Sequence, residues 1–176
     1  MKKFGGIAIF IDRNDINTDE IIPAKYLTEI SKRALKPHLL EDLRLDDGSF
    51  DPESEELQKA SVLVTRSNFG CGSSREHAVW ALEVNDINVV IGQSFARIFR
   101  QNMFNCGILA VEVSTEDLDR LFTLTPEVQV DVDLQNETLT ATGGDGTTVV
   151  CRFTLNPFDR ELVGAGGWLT YADRNY

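Results

Sequence analysis

Ser61-Val-Leu-Val-Thr65 begins a regular pattern that continues through Asn88-Val-Val-Ile91 to Ile108-Leu-Ala-Val-Glu-Val113. These apolar runs are short and rich in β-branched residues, which is typical of buried strands. Residues 74–84 and 94–105 lie between them and have the apolar spacing and terminal residues of helices, with Ser94 as an N-cap and Gly107 as a stop. Strands that alternate with helices pair in parallel through right-handed crossovers, so the sequence predicts an α/β fold.

The flanking segments add strands of a second kind. Residues 5–11 predict one further strand, whereas residues 128–134, 137–142 and 147–153 read as antiparallel strands joined by hairpins. We therefore expect a central parallel or mixed sheet flanked by helices, with an additional antiparallel strand cluster near the C-terminus. A short helix should begin at Ser114, and residues 156–169 predict a turn-rich tail that packs on the sheet. No domain boundary stands out, so we expect residues 1–176 to form a single domain.

Composition excludes several classes of protein. Hydrophobic residues make up 42% and charged residues 26% of the chain, as in globular domains, and no apolar stretch approaches the roughly 20 residues that span a bilayer. The net charge of −11 argues against general binding to nucleic acid, because phosphate binding needs clustered cations. The N-terminus lacks a signal-peptide pattern and the odd, widely spaced cysteines suit reduced thiols, so we expect a cytoplasmic location.

Residues 28–60 are weakly patterned. A helix is expected at about residues 29–43, interrupted by Pro37, and a polar stretch follows at residues 46–56. Such a long connection is typical of a surface excursion, either a flexible lid or a poorly ordered insertion.

The turn between the first two strands of the pattern has the outline of an anion site. Its sequence, Gly70-Cys-Gly-Ser-Ser-Arg-Glu76, places two glycines before two hydroxyls and a guanidinium at a predicted helix start. Unpaired N–H groups, the helix dipole and Arg75 would attract a carboxylate or phosphate there. A plainer interpretation is that Ser73 or Ser74 caps the helix and Arg75 is solvated. The turn is neither a phosphate loop with its lysine nor a nucleophile elbow with its closing glycine.

Three blocks of sequence extend this interpretation. They read Asp15-Ile-Asn-Thr-Asp-Glu-Ile-Ile-Pro-Ala-Lys-Tyr-Leu27, Asn68-Phe-Gly-Cys-Gly-Ser-Ser-Arg-Glu-His-Ala78 and Ser94-Phe-Ala-Arg-Ile-Phe-Arg-Gln-Asn102. In this order they resemble the signature blocks of the 3-isopropylmalate dehydratase small-subunit family, in the aconitase superfamily. The ending, Pro157-Phe158 followed by Gly166-Gly-Trp-Leu169, is similar too.

The resemblance implies a fold, a partner and a reaction. The fold is a swivelling β/β/α domain, and the partner is a separate large subunit that holds a [4Fe-4S] cluster, so this chain should bind no metal of its own. The reaction is the dehydration and rehydration of a hydroxy acid carrying two or three carboxylates. For this family it interconverts 2-isopropylmalate and 3-isopropylmalate in leucine biosynthesis, and the chain should be active only with its large subunit.

The resemblance also implies roles for particular residues. Ser73 matches the catalytic base, and Ser74 and Arg75 match positions that bind a substrate carboxylate. Asp19 would orient groups near the site. The loop after Tyr26 would contact the variable part of the substrate through Leu27 and Thr28, with Arg33, or Arg44 behind it, as a carboxylate-binding arginine.

Other interpretations remain open at this level. A related hydro-lyase acting on homoaconitate, citraconate, methylmalate or dimethylmalate has the same blocks, and a non-catalytic carboxylate-binding module would need only the turn. A free-standing hydrolase using Ser73 with His77 lacks a placed acid and an oxyanion motif.

Four further residues are expected to have other roles. His77 is expected to be structural or partner-facing, and Cys71 to be a small packing residue. Arg97 and Arg100 are expected to face the site, the partner or solvent.

Overall fold

One sheet of seven strands organises the chain in the computed structural model, which describes residues 2–176. In chain order the strands are β1 Gly5–Phe10, β2 Val62–Val64, β3 Val89–Gly92, β4 Leu109–Glu112, β5 Val128–Asp133, β6 Thr138–Thr142 and β7 Thr148–Arg152. In space they lie in the order β4-β3-β2-β1-β5-β6-β7. The predicted α/β fold with a mixed central sheet is confirmed.

Within residues 2–176, seven α-helices and two 3₁₀ helices connect or cover the strands. The α-helices are α1 Thr18–Ile21, α2 Glu55–Lys59, α3 Glu76–Val84, α4 Arg97–Asn105, α5 Thr115–Phe122, α6 Pro157–Gly164 and α7 Trp168–Asn175. The 3₁₀ helices are Ala24–Tyr26 and Lys32–His38. None of the helices in residues 2–176 is both long and apolar enough to cross a membrane.

The parallel half of the sheet contains β4, β3, β2 and β1. Neighbouring strands pair in parallel, for example Val62 with Val89 and Ala8 with Val62. Every residue of β2 and β3 is buried. This explains why their sequences are continuous apolar runs, since strands covered on both faces have no polar side to present to solvent.

The antiparallel half continues the same sheet. Strand β1 pairs in parallel with β2 on one edge and antiparallel with β5 on the other, where Gly6 lies opposite Val130. Burial alternates along β5 and β7, because one face packs on the core and the other faces solvent. The predicted antiparallel cluster near the C-terminus is therefore present, and β1 joins it to the parallel strands.

Several predicted helix boundaries were wrong. Helix α3 begins at Glu76 rather than at Ser74, and α4 begins at Arg97 rather than directly after Ser94. Ser94 instead accepts a hydrogen bond from the backbone N–H of Asn68 at 2.8 Å. The turn-rich tail contains α6 and α7, whereas the helix expected at residues 29–43 is a 3₁₀ helix with Pro37 inside it. Proline removes a backbone donor and clashes with the preceding turn of an α-helix.

The segment of residues 28–60 is only partly a surface excursion. Its first part, from Thr28 to Arg33, is exposed, and the side chain of Ile30 is 96% exposed. Further along, four leucines enter the hydrophobic core: Leu35, Leu39, Leu40 and Leu43. Their apolar spacing is irregular because the backbone there follows no single helical period. The flexibility of this segment stays a prediction.

Truncation of Leu35 tests whether this segment supports the core. Leu35 is fully buried, so Leu35→Ala should lower the free energy of unfolding by about 3 kcal/mol through lost burial and a residual cavity. Ile30→Ala removes a similar side chain that is exposed and should change stability by less than about 0.5 kcal/mol. Denaturant unfolding followed by circular dichroism measures both, and equal effects would show that residues 35–43 do not belong to the core.

Candidate functional site

Three loops leave the carboxyl ends of β1, β2 and β3 side by side. The loops after β1 and β2 pair through their backbones: the N–H of Gly70 donates to the carbonyl of Ile16 at 2.8 Å, and that of Thr18 donates to the carbonyl of Cys71 at 2.9 Å. In open α/β sheets, ligands bind outside the carboxyl ends of the strands. The three blocks singled out in the sequence meet at this edge.

The loop after β3 supports the other side of the turn. The N–H of Ala96 donates to the carbonyl of Phe69 at 3.0 Å. The Phe69 ring is buried and contacts the rings of Phe95 and Phe99 edge-on, with centroids 6.2 and 5.6 Å away. This aromatic cluster fixes the start of the turn in the core, so the residues that follow are held on a rigid base.

The residues Ser73, Ser74 and Arg75 project from that base. Both serines are exposed and precede helix α3, whose N-cap residue Arg75 makes no side-chain capping hydrogen bond. The plainer interpretation, in which Ser73 or Ser74 caps the helix, is therefore wrong. The hydroxyl of Thr18, a buried residue, donates to the backbone carbonyl of Ser73 at 3.0 Å and fixes the turn while leaving the serine side chains free to face outward.

Arg75 and Asp19 form an ion pair across the two loops. Only one nitrogen of the guanidinium, Nη1, contacts the carboxylate. The side chain of Arg75 is 21% exposed and that of Asp19 is 59% exposed, so the pair lies at the surface of the site. Of the predicted site residues, Asp19, Ser73, Ser74 and Arg75 are thus brought together.

The position of Asp19 depends on the start of helix α1, which was not among the predicted helices. Asn17 caps α1 by accepting a hydrogen bond from the N–H of Glu20, and the Glu20 carboxylate in turn accepts one from the N–H of Asn17. Glu20 also pairs with Arg13. The spacing of Asn17 and Glu20 is the signal of a capping box, and it could have located α1 and the buried Thr18 beside it.

The predicted residues of the loop after Tyr26 are placed less directly. Leu27 is partly buried, whereas Thr28 and Arg33 are exposed. Within residues 2–176, Arg33 forms neither a side-chain hydrogen bond nor an ion pair, whereas Arg44 donates to the carbonyls of Glu41 and Leu43. None of these side chains contacts the Ser73 turn through a hydrogen bond.

Three other candidate residues, His77, Arg100 and Arg97, lie outside the Ser73 turn. The Nε2 atom of His77 lies 3.0 Å from the carbonyl oxygen of Glu29, so it donates a hydrogen bond there. Arg100 lies over the ring of Phe104 at 5.0 Å and 3.6 Å from Glu112. Arg97 is exposed at the start of α4.

The residues present do not form a site for an iron–sulfur cluster. Such clusters need several thiolate ligands in one place, but Cys71, Cys106 and Cys151 are separate free thiols. Across the described part of the chain, no three His, Cys, Asp or Glu side chains come together as metal ligands. Cys71 is partly buried, and desolvation, with a smaller contribution from Asp15, raises the pKa of its thiol, which opposes thiolate formation.

A glycine substitution tests the base of the turn. Gly70 has φ +82°, and an added Cβ would lie 2.3 Å from ring atoms of Phe99. Gly70→Ala should therefore cost about 2–4 kcal/mol of unfolding free energy, from backbone strain and overpacking. Gly48 has φ +69° with no atom within 4 Å of an added Cβ, so Gly48→Ala isolates the strain and should cost about 1 kcal/mol. Equal losses in denaturant unfolding would contradict this packing.

Comparisons with known proteins identify the family of the chain. The family model described as the aconitase C-terminal domain matches residues 1–116. The 3-isopropylmalate dehydratase small subunit of Leptospira interrogans is 41% identical over 157 residues, which cover 82% of this chain and 76% of that protein. The corresponding small subunit of Pseudoalteromonas translucida is 40% identical over 147 residues, covering 79% and 74%.

A solved structure gives the same result for the fold. The crystal structure of 3-isopropylmalate dehydratase from Methanocaldococcus jannaschii superimposes with a TM-score of 0.75 and 30% sequence identity, covering 99% of this chain and 95% of that one. This chain therefore matches its relatives in sequence over most of its length and matches the solved structure in fold over nearly all of it. The chain therefore belongs to the 3-isopropylmalate dehydratase small-subunit family of hydro-lyases, within the aconitase superfamily.

Proposed function

We propose that this chain is the small subunit of a two-subunit hydro-lyase that interconverts 2-isopropylmalate and 3-isopropylmalate in leucine biosynthesis. It contributes a base and a carboxylate-binding turn to an active site that a large subunit completes. One observation carries this proposal: Ser73, Ser74 and the Arg75–Asp19 pair are gathered at the carboxyl ends of three strands. The three free thiols also suit a reducing compartment, so the proposed location is the cytoplasm.

Ser73 is the proposed base. Its exposed hydroxyl lies two residues before the N-cap of α3, close to the positive end of the helix dipole. A serine alkoxide is high in energy, so it needs nearby donors and positive charge, which this helix start and Arg75 can supply. The [4Fe-4S] cluster, bound by the large subunit, would supply the Lewis acid for the substrate hydroxyl. Ser73 would take the proton from the neighbouring carbon.

Ser74 and Arg75 are the proposed carboxylate-binding residues. Asp19 uses only Nη1 of the guanidinium, so Nε and Nη2 remain for a bidentate contact with a substrate carboxylate. Asp19 thereby orients the guanidinium and limits its rotation. This gives the carboxylate at the turn a fixed direction relative to the Ser73 hydroxyl.

The variable group of the substrate would face the loop after Tyr26. Leu27 can offer apolar contact, Thr28 a hydroxyl and Arg33 a free guanidinium for a further carboxylate. An isopropyl group calls for apolar neighbours, whereas a larger hydroxy tricarboxylate would use the arginine. The related hydro-lyase reactions on homoaconitate, citraconate, methylmalate or dimethylmalate are the alternatives that a substrate survey distinguishes.

A hydrolase with Ser73 and His77 as a pair finds no support in the geometry. The Nε2 atom of His77 donates to the Glu29 carbonyl, and its ring lies against Trp80 with centroids 4.6 Å apart. A base for Ser73 needs a nitrogen within hydrogen-bond reach of the hydroxyl. No hydrogen bond between these two side chains is present in residues 2–176.

Paired serine substitutions test the base. In a complex reconstituted anaerobically with the large subunit, Ser73→Ala should lower kcat by about 100-fold or more, because it removes the group that accepts the proton. Ser74→Ala should mainly raise KM, since it removes a carboxylate donor. Ser49→Ala, at an exposed serine outside the turn, is the control. If the Ser73→Ala complex assembles and its turnover is unchanged, Ser73 is not the base, and the turn acts only as a carboxylate-binding module.

Replacement of Arg75 by lysine tests the bidentate contact. Arg75→Lys keeps the charge but removes the planar fork, so KM for the hydroxy acid should rise about tenfold or more. Arg152→Lys makes the same change at an exposed arginine on β7, far along the sheet from the turn, and should leave KM unchanged. Steady-state kinetics with both isomers of the substrate measure the effect, and equal KM values in Arg75→Lys and the wild type would remove Arg75 from the substrate site.

A further inference from the structure

The exposed segment after Tyr26 is fastened along helix α3 at three points. The Nε2–H of His77 donates to the carbonyl of Glu29 at 3.0 Å. The Nζ atom of Lys32 lies 2.9 Å from Oε1 of Glu83. The side-chain amide of Asn85 donates to the carbonyl of Lys36 at 3.0 Å. The contacts occur in the same order along both segments, so residues 29–36 follow the helix from its first turn to its end.

The first of these contacts lies nearest the candidate site. His77 is in the first turn of α3, four residues after Ser73, so its bond fixes the Glu29 carbonyl at the end of the helix that follows the Ser73 turn. The His77 ring packs against the Trp80 ring. The Nζ atom of Lys32 also lies over Trp80, 5.5 Å from the ring centroid. The Lys32–Glu83 pair is itself partly exposed, and such pairs contribute little stability.

The helix does not need His77 for its own packing. Helix α3 is anchored in the core by Ala78, Val79, Ala81 and Leu82, whereas His77 is only partly buried. Its hydrogen bond spans 48 positions in the sequence and ends on a backbone carbonyl. Because the backbone is the acceptor, the side chains of Thr28, Glu29 and Ile30 are left free to face a ligand.

We propose that His77 is a positioning residue that holds the segment of residues 28–33 against the Ser73 turn, so that both surfaces meet the substrate as one unit. This inference rests on the proposed function of the turn. Ile30, almost fully exposed, and the free guanidinium of Arg33 are then held at a set distance from the base. Loss of the His77 bond would leave the chemistry at Ser73 intact and weaken the ordering of the segment that receives the variable group of the substrate.

Two His77 variants distinguish positioning from a general structural role. His77→Leu removes the donor and should raise KM in the reconstituted complex roughly three- to tenfold, with kcat within about twofold, because one hydrogen bond is lost. His77→Gln keeps an amide donor near the position of Nε2 and should restore most of the affinity. A fall in kcat with unchanged KM, or no rescue by glutamine, would overturn the proposal.

Hydrogen–deuterium exchange of the full chain supplies a readout independent of activity. His77→Leu should speed exchange in residues 28–33 and leave the strands β2 and β3 unchanged, because local opening exposes only the released segment. Glu83→Gln, which weakens the second contact, should speed exchange near Lys32 alone. Lys2→Met removes a different long-range bond to a carbonyl, that of Gly107 at 2.7 Å, and should leave residues 28–33 unchanged.

The outcomes separate this inference from the proposed function. If Ser73→Ala abolishes turnover but His77→Leu changes neither KM nor exchange in residues 28–33, the positioning role is wrong and the catalytic role stands. If the wild-type complex turns over no hydroxy acid, the proposed function fails. The exchange measurement then still decides whether His77 holds the segment.

Discussion

The arrangement of the site depends on backbone hydrogen bonds that continue beyond the ends of three parallel strands. Gly70 bonds to Ile16 on one side, and Phe69 bonds to Ala96 on the other. The loop after β2 is thus held between its two neighbours, much as its strand is held between β1 and β3. The exposed residues that follow are held in place by these buried ones, which suits the proposed role of the turn at a site shared with a second protein.

Much of the fold could be predicted because its central strands have a local signature. Strands β2 and β3 are buried on both faces, so their apolar runs are unbroken, whereas β5 to β7 alternate. The way in which β1 joins the parallel and antiparallel halves of the sheet could not be predicted in the same way. Neither the sequence around Gly6 nor that around Val130 indicates that these two residues pair. The burial of residues 35–43 could not be predicted for a related reason. Leu35 lies in the 3₁₀ helix that contains Pro37, and the buried leucines after it follow no α-helical period.

The proximity of the candidate residues could be predicted from the sequence, whereas their geometry could not. Ser73, Ser74, Arg75 and Asp19 were all expected, and the structure brings them together. The capping interpretation of the serines failed because the helix starts later, after Thr18 has already fixed the Ser73 carbonyl. The contact of His77 with Glu29 links residues 48 positions apart, so no local motif could reveal it. The roles of these four candidate residues, and those of Leu27, Thr28 and Arg33, depend on a substrate and remain proposals.

The proposed function divides one active site between two chains, with the base and the carboxylate-binding turn on this chain and the metal chemistry on the other. The most direct measurement is an anaerobic titration of the large subunit with this chain, followed by the rate of 2-isopropylmalate isomerisation. Activity should be absent in either subunit alone and should rise to a plateau at a fixed ratio of the two. Turnover by this chain in isolation, or a rate of the large subunit that the chain leaves unchanged, would contradict the account.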